Sequence, residues 1–152
     1  MLTPPSQRAS SADYQFYLQF LPGVPGEPRP TLADAPNDMD LDTAGELLVR
    51  ASRWLEFLKG QVARAEAEQL LAKQRLSKAT RLAKFQFGTS VDKWSEEAVA
   101  EVSAREEEEA QAHAKSVVLK GILDGQEKVK SAASRIVSKY QRTEGGGQQW
   151  TP

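Results

Sequence analysis

Residues 41–87 read LDTAGELLVRASRWLEFLKGQVARAEAEQLLAKQRLSKATRLAKFQF, and the spacing of their apolar side chains decides the fold. Leu41, Ala44, Leu48, Ala51, Leu55, Leu58, Val62, Ala65, Gln69, Ala72, Leu76, Ala79 and Ala83 recur at alternating intervals of three and four. All but Gln69 are apolar. A sustained 3-4 repeat places one stripe on one face of an α-helix, as in a coiled-coil seam. Leu47, Trp54, Leu70, Leu71, Leu82 and Phe85 widen that face. Thr43-Ala44-Gly45-Glu46 has the form of a capping box, so Thr43 is the expected N-cap. Gly88 is the expected stop, because glycine accepts the left-handed backbone that closes a helix.

A second helix is expected to open at Thr89 or Ser90, with Val91, Trp94, Ala98 and Val102 as its first stripe. The repeat weakens through Arg105-Glu106-Glu107-Glu108-Glu109. It resumes at Val118, Ile122, Gly125, Val129, Ala132 and Ile136. Gly121 and Gly125 interrupt it, each at a cost of about 1 kcal/mol in a helix interior. They mark either a close helix approach or a break into a third C-terminal helix. The short connection makes the two long helices antiparallel neighbours. The predicted fold is therefore all-α: a long antiparallel helical hairpin over 41–142, with a flexible tail at 143–152 that carries Trp150.

Residues 1–40 read differently. Seven of the eight prolines lie before residue 37. Proline removes a backbone donor and blocks helix continuation, so this segment is expected as an extended arm. Within it, Tyr14, Phe16, Leu18 and Phe20 alternate, which suits a short strand; a single helical turn is the alternative. With Tyr17 they form an aromatic segment expected to dock on a neighbouring copy or a partner protein; the alternative is that it folds back on its own hairpin, near Trp54. The proline stretch behind it would act as a semi-rigid spacer.

Both helical stripes are wide, and a two-helix hairpin of this length has no compact core to bury them. A homo-oligomer is therefore expected, held by Leu48, Leu55, Leu58, Val62, Leu76, Val118, Ile122, Val129 and Ile136. The formal net charge is −1, but charge is segregated. Residues 1–40 hold 2 basic and 5 acidic groups, residues 41–88 hold 9 and 5, residues 89–112 hold 2 and 8, and residues 113–152 hold 7 and 3. The acidic block at 96–109 would lie beside the basic block at 73–84, with Lys115 opposite Ala63. Around the first helix, Lys73, Lys84, Arg81, Lys78 and Arg75 span about 200°, on the side away from the seam. Part of that arc stays free of the acidic helix and can attract a phosphate backbone. At the other end Arg50, Arg53, Lys59 and Arg64 gather with Lys115, Lys120, Lys128, Lys130 and Arg135.

The sequence offers little for catalysis. His113 is the sole histidine and cysteine is absent, so neither a Cys-ligated metal site nor a disulfide can form. There is no phosphate-binding glycine loop and no nucleophile elbow. No enzyme activity, cofactor or metal is expected. The start, Met1-Leu2-Thr3-Pro4-Pro5, lacks the features of a secretory signal, no run is long enough to span a membrane, and a cytoplasmic location is expected.

Ser52-Arg53-Trp54-Leu55 resembles the Ser-Lys-Trp-Leu of the recombination mediators of tailed phages (UvsY type), and Lys73-Gln74-Arg75-Leu76 resembles their Lys-Ala-Arg-Leu. The segment from Val117 to Tyr140 resembles their C-terminal oligomerisation helix. The resemblance covers residues 44–142 and leaves out the arm; the two motifs stand about one helical turn closer here. It implies an oligomeric protein in the host cytoplasm that binds single-stranded DNA and loads a RecA-like recombinase, with Lys73 and Arg75 as DNA contacts. Added to the basic surfaces, the expected contact set is Arg50, Arg53, Lys59, Lys73, Arg75, Lys128 and Lys130. The alternative is a structural or assembly adaptor, a virion or complex component, that binds through its helices and its arm.

Overall fold

The computed structural model describes the backbone of residues 11–148 and the side chains of residues 14–143. The fold is all-α, with no strand among the described residues. A short helix α1 (Ser11–Leu18) is followed by two long helices, α2 (Leu41–Phe87) and α3 (Glu96–Gln148), which pack against each other as a hairpin. Single 3-10 turns lie at Leu32–Asp34 and Val91–Lys93. The chain forms two compact units: Met1–Tyr17 with Gln61–Lys120, and Leu18–Gly60 with Gly121–Pro152. Among the described residues no helix is long and apolar enough to cross a membrane.

The predicted seam of α2 faces inward. Ala44, Ala51, Leu55, Leu58, Val62, Ala65, Ala72 and Ala83 are buried, and the remaining five seam positions are half-buried. Of the residues expected to join copies, Leu55, Leu58, Val62, Ile122, Val129 and Ile136 are buried within the single chain, and Leu48, Leu76 and Val118 are half-buried. The hairpin thus uses these residues for its own core. What stays outside is a different set, including Leu70, Leu71, Leu82 and Phe85, the last 90% exposed.

The helix ends differ from expectation in instructive ways. Asp40, not Thr43, caps α2: its carboxylate accepts from the Thr43 N–H at 3.4 Å, and its carbonyl accepts from the Ala44 N–H at 3.0 Å. Aspartate just ahead of the first turn satisfies an orphan donor and suits the positive end of the helix dipole. Gly88 ends α2 as expected, with φ +89. The connection is longer than foreseen, because Val91–Lys93 forms its own turn and Ser95 caps α3 through its hydroxyl, which accepts from the Ala98 N–H at 3.1 Å. Trp94 does not open a helical stripe; its indole N–H donates to the Gly88 carbonyl at 2.8 Å and ties the turn.

The longer turn shifts the helix register. Lys115 meets Glu68 at 2.9 Å rather than lying opposite Ala63. The basic and acidic blocks do touch, through Arg75 and Glu108 at 2.6 Å.

Gly121 and Gly125 neither break α3 nor mark a close approach. The helix runs through both, and a Cβ at either would meet nothing within 4 Å. Gly60, inside α2, is equally open. Glycine at such sites only adds freedom to the unfolded chain. Gly60→Ala and Gly121→Ala are each expected to stabilise the protein by about 0.5–1 kcal/mol. Thermal unfolding should register this as a rise of about 2–4 °C per substitution. The three glycines 145–147 do not end α3 either, which extends to Gln148; Trp150 lies outside the described residues.

The expected strand at Tyr14–Phe20 is instead α1 with a following turn, in which the Leu21 N–H donates to the Leu18 carbonyl. Alternation over so few residues does not exclude a helix when no neighbouring strand is present to pair with it.

The proline stretch is not a free spacer. Pro30 is fully buried, and residues 27–30 lie along α2. Proline cannot extend a helix, but its ring is an apolar body that a helical surface can cover. Further along, the Tyr140 hydroxyl donates to the Met39 carbonyl at 3.0 Å, tying the end of the arm to α3.

Gln126 is buried on α3, and neither side-chain amide atom has a hydrogen-bond partner among the described residues. A buried polar group in that state costs about 1–3 kcal/mol.

Candidate nucleic-acid interface

In the unit containing Gln61–Lys120, the α2 seam is mostly alanine, so apolar contact is thin and charge supplies much of the cross-helix bonding. Lys115 pairs with Glu68 at 2.9 Å, Lys120 with Glu66 at 3.0 Å and Arg75 with Glu108 at 2.6 Å. Glu108 is shared, since Arg105 of its own helix also donates to it at 2.9 Å. These pairs are largely solvated, so each contributes little alone. Their joint effect is to fix which residues of α2 lie against α3.

Hydrogen bonds from Arg105 first, and then from Arg75, hold the Glu108 carboxyl below its ordinary value. A depressed folded-state value means that this stabilisation is complete above the unfolded carboxyl's value and fades as pH falls through the folded one. Glu108→Gln removes the effect. The gap in melting temperature between the natural protein and this variant should therefore be constant from pH 8 to pH 5 and shrink below about pH 4.5.

The basic arc of α2 is treated differently. Lys73, Lys78, Arg81 and Lys84 are exposed, and none has an ion-pair partner among the described residues. From 73 to 84 the chain holds five cations and no acid. Four of the five remain available to solvent; only Arg75 is engaged. Leu82, Ala79, Ala83, Phe87 and Ala98 line a groove of about 470 Å³ beside this arc, together with Lys78, Arg75, Arg105, Glu97 and Glu101.

The unit containing Leu18–Gly60 engages its arginines otherwise. Arg53 pairs with Glu27 at 3.0 Å, and Arg50 Nη2 donates to the Pro28 carbonyl at 3.1 Å. The Trp54 indole N–H donates to the Glu27 carbonyl at 2.9 Å, while its ring meets Phe57 edge-on at 5.7 Å. Lys59 has only Glu56 of its own helix at 3.6 Å, and Lys128 has Asp124 at 3.2 Å, both solvated pairs. Lys130 has no ion pair among the described residues. Of the seven expected contacts, then, the structure leaves Lys73 and Lys130 unpaired, gives Lys59 and Lys128 loose local partners, and holds Arg75, Arg50 and Arg53 through bonds to other segments. Lys78, Arg81 and Lys84 join Lys73 in the arc but were absent from that expected set, although the helical period places them on the same face.

The aromatic segment divides. Tyr14 is half-buried, with the Lys115 ammonium 6.0 Å from its ring centre, and burial pushes its hydroxyl above the ordinary value. Phe16 and Tyr17 stack edge-on at 5.8 Å and are exposed. Leu18 is buried, and Phe20 is 70% exposed.

His113 Nδ1 lies 2.9 Å from the Gln69 amide nitrogen on an exposed face. Among the described residues no group of three or more His, Asp or Glu side chains is placed to hold a metal ion.

No family model matches the chain, and neither does any curated protein or solved structure.

Proposed function

We propose that this chain is a non-enzymatic helical protein that binds single-stranded DNA along the basic arc of α2 and, by its resemblance to the phage mediators, loads a RecA-like recombinase. The observation that carries the DNA reading is the set Lys73, Lys78, Arg81 and Lys84, four exposed cations left without ion pairs, while Arg75, Lys115 and Lys120 of their unit are paired across the helices. Cations that the fold does not use can release counterions to a phosphate chain. Association between copies accompanies this reading, and it would use the exposed Leu71, Leu82 and Phe85, because the 3-4 seams are already covered.

A second reading is favoured by the same apolar side chains. Leu82 lines a groove that also carries both charges, Leu71 and Phe85 are exposed on the same helix, and together they suit a partner helix; the chain would then be an assembly adaptor. Fluorescence anisotropy with oligo(dT) at two salt concentrations separates the two. The DNA reading expects affinity that falls steeply with salt. No binding at low salt transfers the assignment to the adaptor.

A further inference from the structure

Arg50, Arg53 and Trp54 form one turn of α2, and a single stretch of the arm engages all three. The Glu27 carboxylate lies 3.0 Å from Arg53, the Glu27 carbonyl accepts from Trp54 at 2.9 Å, and the Pro28 carbonyl accepts from Arg50 at 3.1 Å. The fit is incomplete in one respect: Arg50 Nε is buried and has no acceptor among the described residues. The arm therefore supplies one anion and two carbonyls to this turn of α2, and the anion is the part that faces solvent.

We infer that Arg50 and Arg53 form a second phosphate-binding site for single-stranded DNA, and that the Glu27 carboxylate occupies it as a built-in competitor. This rests on the DNA reading above. Two guanidinium groups one turn apart are suited to a phosphodiester chain, because arginine forks match phosphate oxygens. Glu27 holds its place weakly. The Arg53 side chain is 62% exposed and that of Glu27 28%, so the pair is solvated and contributes little to stability. The backbone carbonyls and the buried Pro30 keep the arm in place without it. A phosphate can thus displace the carboxylate by a side-chain rotation, with no need to detach the arm. A strand bound there must overcome the competing charge, which lowers affinity and reserves the site for DNA already held elsewhere on the protein.

Glu27→Gln tests this, because it removes the charge and preserves both carbonyls. Neutralising one more phosphate of a single strand steepens the log-log salt slope by about 0.7 and tightens oligo(dT) binding about fivefold at 0.1 M salt. Glu46→Gln is the control. It deletes the same charge from an exposed position of the same unit that has no ion pair among the described residues. The expected gain there is under twofold, and adding Arg53→Ala to Glu27→Gln abolishes the fivefold gain. Equal gains from the two glutamate variants, or a gain that survives loss of Arg53, would overturn the inference while leaving the DNA reading intact. Failure of every variant, the natural protein included, to bind at the lowest salt overturns both.

Discussion

Leu58→Ala lowers the stability of the folded chain by about 3–5 kcal/mol, the upper part of the range for emptying a leucine site in a core. Leu58 is 0% exposed, and it sits in the unit where four of the six α2 seam positions are leucine. Its neighbours one turn away, Leu55 and Val62, are 4% and 8% exposed and held on a rigid helix, so they have little freedom to close over a cavity. The loss is therefore the transfer term plus most of the cavity term. Leu55→Asp combined with Leu58→Asp goes further, placing two carboxylates at buried seam positions, and leaves a poorly folded chain. Urea unfolding at two protein concentrations makes the measurement. The cost should be the same at both, because the site is buried inside one chain. Leu70→Ala, at a position 58% exposed, should cost under about 0.5 kcal/mol. A cost below about 1 kcal/mol at Leu58 would mean that the seam is not the core.

The seam itself was readable in the sequence because its period is geometric. Thirteen positions at 3-4 spacing must share a helix face, and in the structure none of them is exposed. Gly88 was readable for a similar reason, since only glycine reaches φ +89 without strain. The burial partner was not. A 3-4 stripe looks the same whether it meets the chain's own second helix or a sister copy, and six of the nine positions expected between copies are buried within the single chain.

The arm shows the opposite limit. Its local chemistry correctly excludes a long helix, but its fate depends on contacts between residues far apart in sequence. Glu27 meets Arg53 across 26 positions and Met39 meets Tyr140 across 101. No periodicity encodes such pairs. For the same reason, counting charges along the chain overstated the basic surface: Arg50 and Arg53 read as free cations until the arm is seen against them. The arc of α2 survives because its four members lie on one helix, where a period can place them.

Changing Lys73, Lys78, Arg81 and Lys84 together to glutamine reduces affinity for oligo(dT) several-hundredfold at 0.1 M salt. The size follows from counterion release. Each phosphate contact on a single strand contributes a slope of about 0.7 in log affinity against log salt, so four contacts account for about 2.8. At 0.1 M that slope is worth about 2.8 decades, and it vanishes as salt approaches 1 M, where variant and natural protein should converge. The fold should be indifferent, because all four side chains are exposed and none has an ion pair among the described residues. Unchanged helical circular dichroism and melting temperature are the accompanying controls. Arg50→Gln with Arg53→Gln should lose far less while Glu27 is present, since one carboxylate already offsets much of that charge. The contrast separates a specific surface from net charge, as two lost cations on the occupied site must count for less than two on the open arc. Equal losses per cation at the two sites would mean that the protein's overall charge, and not the α2 arc, attracts the strand.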